Sequence, residues 1–177
     1  MVVVTSNYLK SKELAMVRKY ARFVLDKFVR TGLQRKSKIN IKILGEEEIK
    51  DAADLLDLKE YKAWCTYDGL DENSNKRFTV IIDHKRLNKN GKKPITRLKN
   101  LLIDLGHELV HVKQYINGEM FDYKNGDVRH KGVIFASTYM EDEEAYYESP
   151  WEIEAYGREY GLYKMFCSQL KQERLSS

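Results

Sequence analysis

The sequence predicts an α+β fold, and the evidence is the order in which two kinds of apolar pattern occur. Apolar residues at helical spacing come first. Segments follow in which apolar and polar residues alternate, as in half-buried strands, and helical spacing then returns. Consecutive strands with helices before and after them are typical of α+β domains. The 177 residues contain no repeat and no Pro/Gly-rich linker, which favours a single domain over residues 1–177.

The N-terminal half is expected to contain one long helix, one short helix and three strands. In NYLKSKELAMVRKYARFVLDKFVR, residues 7–30, the apolar side chains recur every three or four positions and predict an amphipathic helix. The alternating segment INIKILG ends in glycine and predicts a strand over 39–45. A short helix is expected at 46–58. The segments AWCTYDG and RFTVIID, residues 63–69 and 77–83, are expected to pair across a polar loop.

Two helices are predicted in the C-terminal half. Pro94 suits the first turn of a helix over 94–117, whose leucine-rich face forms a continuous apolar stripe and which a glycine follows. Ser149 as N-cap and Pro150 at the first helical position begin the last helix. The stretch between them, 118–132, is rich in turn-forming residues and is expected to be a loop.

Composition excludes several classes of protein. No apolar run approaches the length of a membrane span, and MVVV is too short for a signal-peptide core, so we expect a cytoplasmic protein without a membrane partner. Cys65 and Cys167 form no CxxC motif, which favours free thiols.

Residues 1–100 carry 23 Lys and Arg against 13 Asp and Glu, a net charge of +10, and residues 101–177 carry 8 against 14, a net charge of −6. The basic half allows weak nucleic-acid contact, although lysines that solvate helices are the favoured interpretation.

The strongest functional signal is the motif H-E-x-x-H in GHELVHVKQY, residues 106–115. Positions i and i+4 share one face of a helix, so His107 and His111 can both bind one metal ion. Zinc suits imidazole ligands, and Glu108 is then placed to act as general base toward a zinc-activated water. With four His and 16 Glu in the chain, the motif arises by chance with a probability of roughly 1%. The sequence therefore predicts a zinc site.

The glycine beside the motif also needs an explanation. Gly106 costs roughly 1 kcal/mol of helix stability relative to alanine. It lies in a strongly apolar helix that is expected to pack on other elements. We therefore expect close packing at this position.

A catalytic zinc ion usually has three protein ligands, so one ligand remains to be found. In PWEIEAYG, Glu152 and Glu154 lie about 200° apart around the helix, and only one can face the metal. Glu154 has a surface partner in Arg158 at i+4. Glu152 has an alternative role in a capping box, in which its carboxylate bonds back to the Ser149 amide. Glu152 is the favoured ligand, with Glu154 and His130 as alternatives.

The combination of HELVH and WEIEAYG resembles the zincin metallopeptidases of the gluzincin type. In these the third ligand is a glutamate on a later helix, often with a small residue three positions on, and Glu152 and Ala155 match that pattern. Over 94–163 the chain is also similar to small metallopeptidase-like proteins encoded by bacteriophages, which implies a viral protein in the host cytoplasm. The resemblance implies a zincin-like fold and a zinc-dependent metallopeptidase in which Zn²⁺ is bound by His107, His111 and Glu152, and Glu108 is the general base.

The sequence departs from these families in two places. Several gluzincins have an Asp four residues after the glutamate ligand, where it orients a histidine, but this chain has Tyr156 there. SprT-like proteases use a third histidine ahead of Gly and Phe, and RHKGVIF around His130 is similar apart from the inserted Lys131. A SprT-like protease acting on DNA-associated proteins is therefore the first alternative function. A non-catalytic, zinc-stabilised binding or regulatory protein is the second.

A peptidase also has to hold its substrate and stabilise the oxyanion. In zincins the strand before the active-site helix commonly forms the edge that binds an extended substrate. Residues 77–83 have that place in chain order, and we expect them to pair with a protein or peptide substrate. An internal strand is the alternative. Four tyrosines are candidate donors to the oxyanion: Tyr139, Tyr146, Tyr147 and Tyr156.

Overall fold

A four-stranded mixed sheet carries the helices of this α+β fold. The computed structural model describes residues 1–55, 62–140 and 142–176. The strands follow the spatial order β1-β2-β4-β3, in which β1, β2 and β4 run parallel and β3 runs antiparallel to β4. Their bounds are Val2–Ser6 for β1, Ser37–Leu44 for β2, Ala63–Leu70 for β3 and Lys76–Asp83 for β4.

The helices lie before, between and after these strands. Among the described residues they are α1 (Ser11–Phe28), α2 (Thr31–Arg35), α3 (Glu46–Leu55), α4 (Pro94–Arg97), α5 (Lys99–Ile116), α6 (Glu143–Glu148) and α7 (Pro150–Leu175). Two short 3₁₀ turns, His84–Arg86 and Ser137–Met140, join them to neighbouring elements. No helix among the described residues is long and apolar enough to cross a membrane.

Helix α5 is the centre of the core. It packs against α7, α1 and the strands β3 and β4. Its fully buried side chains include Leu101, Leu102, Leu105, Leu109 and Val112. Burying each such side chain stabilises the fold by about 1.5–3 kcal/mol, so the apolar stripe read from the sequence is what fixes this helix inside the molecule.

The expected packing reason for Gly106 is present. A Cβ at that position would lie 2.5 Å from the hydroxyl oxygen of Tyr20, a fully buried side chain on α1. Glycine therefore lets α1 and α5 approach each other at the position directly before His107. The hydroxyl itself has no hydrogen-bond partner among the described residues.

Most predicted elements are present, and two differ. The helix expected over 94–117 is divided at Leu98, whose φ of −85° and ψ of 0° separate α4 from α5. The expected loop 118–132 instead contributes to a small antiparallel sheet of β5 (Met120–Asp122), β6 (Val128–His130) and β7 (Val133–Phe135). The N-terminal valines form β1, which the sequence analysis did not assign. Residues 56–58 of the helix expected at 46–58 lie outside the described residues.

The prediction that residues 77–83 form the substrate-binding edge is wrong. Residues 77–83 belong to β4, which pairs with β2 on one side and β3 on the other. The two edge strands of the sheet are β1 and β3, and no described strand pairs with the outer side of β3. Chain order misleads here because β3 and β4 form a hairpin, and the second strand of that hairpin enters the sheet between the first strand and β2.

Candidate metal centre

Three side chains from two helices converge in a buried group. His107 and His111 lie one turn apart on α5, and Glu152 lies in the first turn of α7, which packs across α5. The Nε2 atoms of the two histidines are 3.1 Å apart. One carboxylate oxygen of Glu152 lies 3.1 Å from His107 Nε2, and the other lies 3.3 Å from His111 Nε2. All three residues are buried.

The hydrogen bonds behind the histidines determine which ring nitrogens face the centre. His107 Nδ1 lies 3.1 Å from a carboxylate oxygen of Glu159, which can only accept a hydrogen bond when ionised. His111 Nδ1 lies 3.0 Å from Oε1 of Gln114. Both Nδ1 atoms are therefore assigned the proton. Each neutral ring then directs the Nε2 lone pair toward the carboxylate of Glu152.

Two lone pairs and a carboxylate repel one another unless a cation lies between them. Glu152 Oε2 is buried and receives no well-aligned hydrogen bond from the described residues. In a tetrahedral site with ligand bonds of about 2.0–2.1 Å, ligand atoms lie roughly 3.3 Å apart. The two Nε2 atoms are 3.1 Å apart, the two Glu152 oxygens lie 3.1 and 3.3 Å from them, one oxygen to each ring, and one ligand atom from each residue lies within 4.8 Å of the others. The donor set of two imidazoles and one carboxylate therefore fits Zn²⁺.

The electrostatics of the group point the same way. Burial opposes the imidazolium form of His107, but hydrogen bonds with Glu152 and Glu159 raise its pKa to about 10. Burial likewise opposes a charged His111, whose pKa is nevertheless raised by Glu152. Burial alone would raise the pKa of Glu152, but pairing with the two histidines lowers it well below its usual range. The group attracts positive charge, which either protons or a metal ion can supply.

Glu152 does not use its carboxylate for the alternative capping role. Ser149 does cap α7, and its hydroxyl accepts a hydrogen bond of 3.4 Å from the Glu152 amide. The reciprocal bond of a capping box is absent, because the Ser149 amide donates to the Tyr146 carbonyl instead. The carboxylate of Glu152 is thereby free to face the histidines.

Glu108 lines the cleft next to this group. It is buried, and burial raises its pKa to about 7, against the opposing effect of His111 and His107. A general base functions best when its pKa lies near the working pH. The position and the raised pKa of Glu108 therefore suit proton transfer at neutral pH.

Two polar residues at the site were not found from the sequence. Glu159 is the partner of His107. It lies seven residues after Glu152, a spacing that returns to the same helix face, and this spacing was the available signal. Gln114 is the partner of His111 and lies three residues after it on the same helix. That spacing was visible in the sequence as well.

Glu154 is more than a surface partner of Arg158, and this corrects the sequence expectation. Its side chain is 11% exposed. It accepts hydrogen bonds from Arg158 Nε at 3.1 Å, from Lys113 Nζ at 2.8 Å and from Gln114 Nε2 at 3.2 Å. Lys131 Nζ lies 3.3 Å away. Glu154 thus joins α7 to α5 on the side facing away from the cleft.

His130 does not join His107 and His111. It is buried on β6, where its ligand atoms group with those of Glu119 and Glu154. The Lys113 ammonium already lies between the two carboxylates of this second group, at 2.7 Å from Glu119 and 2.8 Å from Glu154. A metal ion there would have to displace a buried ammonium, so the second group is a poorer metal site than the first.

A cleft with a volume of about 660 Å³ opens onto the candidate centre. Residues 62–66, at the start of β3, line the cleft together with residues of α5. Tyr146, Tyr147 and Tyr156 also line it, and the ring of Tyr156 packs edge-on against the ring of His107, with 4.5 Å between the ring centroids. The remaining oxyanion candidate, Tyr139, has a side chain outside the described part of the structure.

The free edge of β3 presents main-chain groups to this cleft. The amide of Asp83 donates to the carbonyl of Lys62, which makes these two residues a hydrogen-bonded pair. Hydrogen-bonded and non-hydrogen-bonded pairs alternate in an antiparallel ladder. With Ala63 opposite Ile82 and Cys65 opposite Val80, the amide and carbonyl groups of Ala63 and Cys65 point away from β4.

Comparison with known proteins adds no family or function to this geometry. No protein-family model, no curated protein and no solved structure matches the chain.

Proposed function

We propose that the protein is a zinc-dependent metallopeptidase with a zincin-like fold. The observation that carries the proposal is the convergence of His107 Nε2, His111 Nε2 and the Glu152 carboxylate in one buried group whose ligand atoms lie within 4.8 Å of one another. These three residues would hold the ion, and Glu108 lies beside it on the cleft side. The free edge of β3 along the same cleft supports an extended peptide as substrate, because sheet edges bind peptides through main-chain hydrogen bonds.

The chain's own residues can supply the remaining parts of peptide hydrolysis. Bound zinc would provide Lewis acidity and lower the pKa of a water to about 7. Glu108 accepts the proton of the attacking water and transfers it to the leaving amine. Tyr156 is the favoured oxyanion donor, because it lines the cleft and its ring packs edge-on against the ring of His107. Tyr146 is less suited to that role since it hydrogen-bonds to Glu152.

Metal analysis combined with cleavage profiling of Glu108→Gln tests the proposal. Wild-type protein purified without chelator should contain about one zinc per chain, because the described residues form one well-suited three-ligand group. Glu108→Gln keeps the shape of the side chain but cannot accept a proton. It should retain zinc and lose activity by at least roughly a hundredfold. Wild-type protein that takes up no zinc contradicts the metal site. Zinc without cleavage of any peptide would favour the non-catalytic, zinc-stabilised alternative.

The identity of the third ligand separates this proposal from the SprT-like alternative. Glu152→Gln removes a charged oxygen from the ligand set and should weaken zinc binding strongly. The Ser149 cap should survive, because it uses the main-chain amide of residue 152. His130→Ala is the matched control and should bind zinc like wild type. The reverse result, with zinc retained in Glu152→Gln and lost in His130→Ala, would make a protease of DNA-associated proteins the leading hypothesis.

A cytoplasmic location remains part of the proposal. Its support is that Cys65 and Cys167 are both free thiols, the form that reducing compartments maintain. Fractionation of cells that express the protein tests this location. Nucleic-acid contact through the basic N-terminal half belongs to the SprT-like alternative, and salt-dependent DNA binding would support it.

A further inference from the structure

The buried amide of Gln114 connects a metal ligand to a charge cluster on the other side of α5. Gln114 is fully buried. Its Oε1 lies 3.0 Å from His111 Nδ1, and its Nε2 donates to the Trp151 carbonyl and to Glu154 Oε2, both at 3.2 Å. Because both of the latter partners can only accept, they determine that the NH₂ group faces them and that the oxygen faces His111.

A reversed amide would change the chemistry of the ligand. The NH₂ group of Gln114 would then face His111 Nδ1, and that nitrogen would have to accept instead of donate. The ring proton of neutral His111 would move to Nε2, which is the atom that faces Glu152. A protonated Nε2 cannot bind a metal ion. The orientation of one amide therefore decides whether His111 is competent as a ligand.

Contacts with α5 hold Glu154 where it accepts the hydrogen bond from the Gln114 amide. Its strongest partner is Lys113, the residue before Gln114, whose side chain is only 9% exposed. The Glu154 carboxylate accepts hydrogen bonds from Lys113 Nζ at 2.8 Å and from Gln114 Nε2 at 3.2 Å, and so contacts two successive residues of α5.

We propose that Glu154 is a positioning residue of the metal centre. Through the Gln114 amide it selects the His111 tautomer whose Nε2 lone pair faces Glu152. The inference rests on the proposed metal site.

Zinc affinity, measured by competition with a chelator of known affinity, tests the role. Loss of a residue that orients a ligand typically weakens metal binding 10- to 100-fold. We expect that loss for Glu154→Gln and for Gln114→Ala. The double variant should bind zinc about as tightly as Gln114→Ala alone, because both changes act through one amide. Two control variants should bind zinc like wild type. Glu173→Gln makes the same chemical change near the far end of α7, and Arg158→Gln removes an exposed partner of Glu154.

The design distinguishes positioning from a merely structural role. If Glu154 only stabilises the packing of α5 on α7, its substitution lowers the melting temperature of the metal-free protein, and the effects of the two variants on zinc affinity are additive. That result overturns the inference. Wild-type protein that binds no zinc overturns the proposed function together with it. Zinc binding by Glu154→Gln at wild-type strength overturns the positioning role alone.

A measurement on the wild-type protein covers the case in which Glu154→Gln does not fold. ¹⁵N NMR of the histidine rings in the zinc-loaded protein should show His111 with a proton on Nδ1 and the metal on Nε2. A His111 ring with the opposite assignment overturns the inference.

Discussion

At the scale of single residues, the candidate centre depends on where protons lie. Glu159 and Gln114 hold the Nδ1 protons of His107 and His111, and both Nε2 atoms are thereby left as acceptors. Glu152 adds negative charge to the same point. When both rings are neutral, two imidazole nitrogens and two carboxylate oxygens with contacts of 3.1–3.3 Å are costly to bring together without a cation, and this cost is the physical reason to expect metal affinity.

The contact between Gly106 and Tyr20 gives a prediction that does not depend on function. A Cβ at Gly106 would lie 2.5 Å from the Tyr20 hydroxyl oxygen, and such overpacking costs about 1–3 kcal/mol, against a gain of about 1 kcal/mol in helix propensity. Gly106→Ala should therefore lower the free energy of unfolding, measured with urea on metal-free protein.

Removal of the hydroxyl provides the matched test. In Tyr20→Phe the nearest atoms to the new Cβ are at 3.5–3.6 Å, an ordinary contact distance. Gly106→Ala in that background should be neutral or should stabilise by up to about 1 kcal/mol. An equal cost in both backgrounds would show that the hydroxyl is not the cause.

At the scale of secondary structure, the free edge of β3 is the feature that most directly suggests a peptide substrate. Its outward main-chain groups alternate with groups that pair to β4, and Ala63 and Cys65 supply the outward set. A peptide that extends the sheet would use every second of its own amides in the same way.

An N-methylation scan of a cleaved peptide tests this mode of binding. Methylation of an amide that pairs with β3 removes one hydrogen bond, which contributes about 0.5–1.5 kcal/mol, so kcat/KM should fall roughly two- to tenfold. Methylation at the intervening positions should have little effect. If kcat/KM falls equally at successive methylated positions, the peptide does not bind by strand addition at this edge.

The small sheet shows how an element of three-residue strands is missed in a sequence. Its strands are too short to reveal an alternating pattern. The turn between β6 and β7 places both Lys131 and Gly132 at positive φ, 47° and 89°, as a tight hairpin turn requires. The glycine marks the turn, but lysine rarely adopts this conformation, so the pair gave no hairpin signal.

At the scale of the whole molecule, the candidate centre joins the two helices that dominate the core. His107 and His111 belong to α5, and Glu152 belongs to α7. An ion that binds all three ligands binds only the folded chain. Zinc should therefore stabilise the protein as a whole.

Thermal unfolding with and without zinc measures this coupling. Free zinc at one hundred times its Kd adds about 2.7 kcal/mol to the free energy of unfolding. For a chain of this size that gain corresponds to a rise in melting temperature of roughly 5–10 °C. A chelator should reverse the rise, and His111→Ala should abolish it. An equal response in wild type and in His111→Ala would indicate zinc bound elsewhere.

The sequence by itself determined the features that follow from short-range geometry. Residues four apart share a helix face, which placed His107 and His111 together, and the cap at Ser149 located the start of the helix that carries Glu152. Apolar periodicity determined the main helices and most of the strands, because the period of burial is a property of each element alone.

Only the tertiary structure decided how separate elements meet. It paired Glu159 with His107 across 52 residues, made β3 rather than residues 77–83 the free edge, and turned Glu154 from an expected surface partner into a link between two helices. A local pattern shows which face of an element is buried, but it does not show which other element covers that face. That choice depends on the packing of the whole core, where many weak contacts between distant parts of the chain are optimised together.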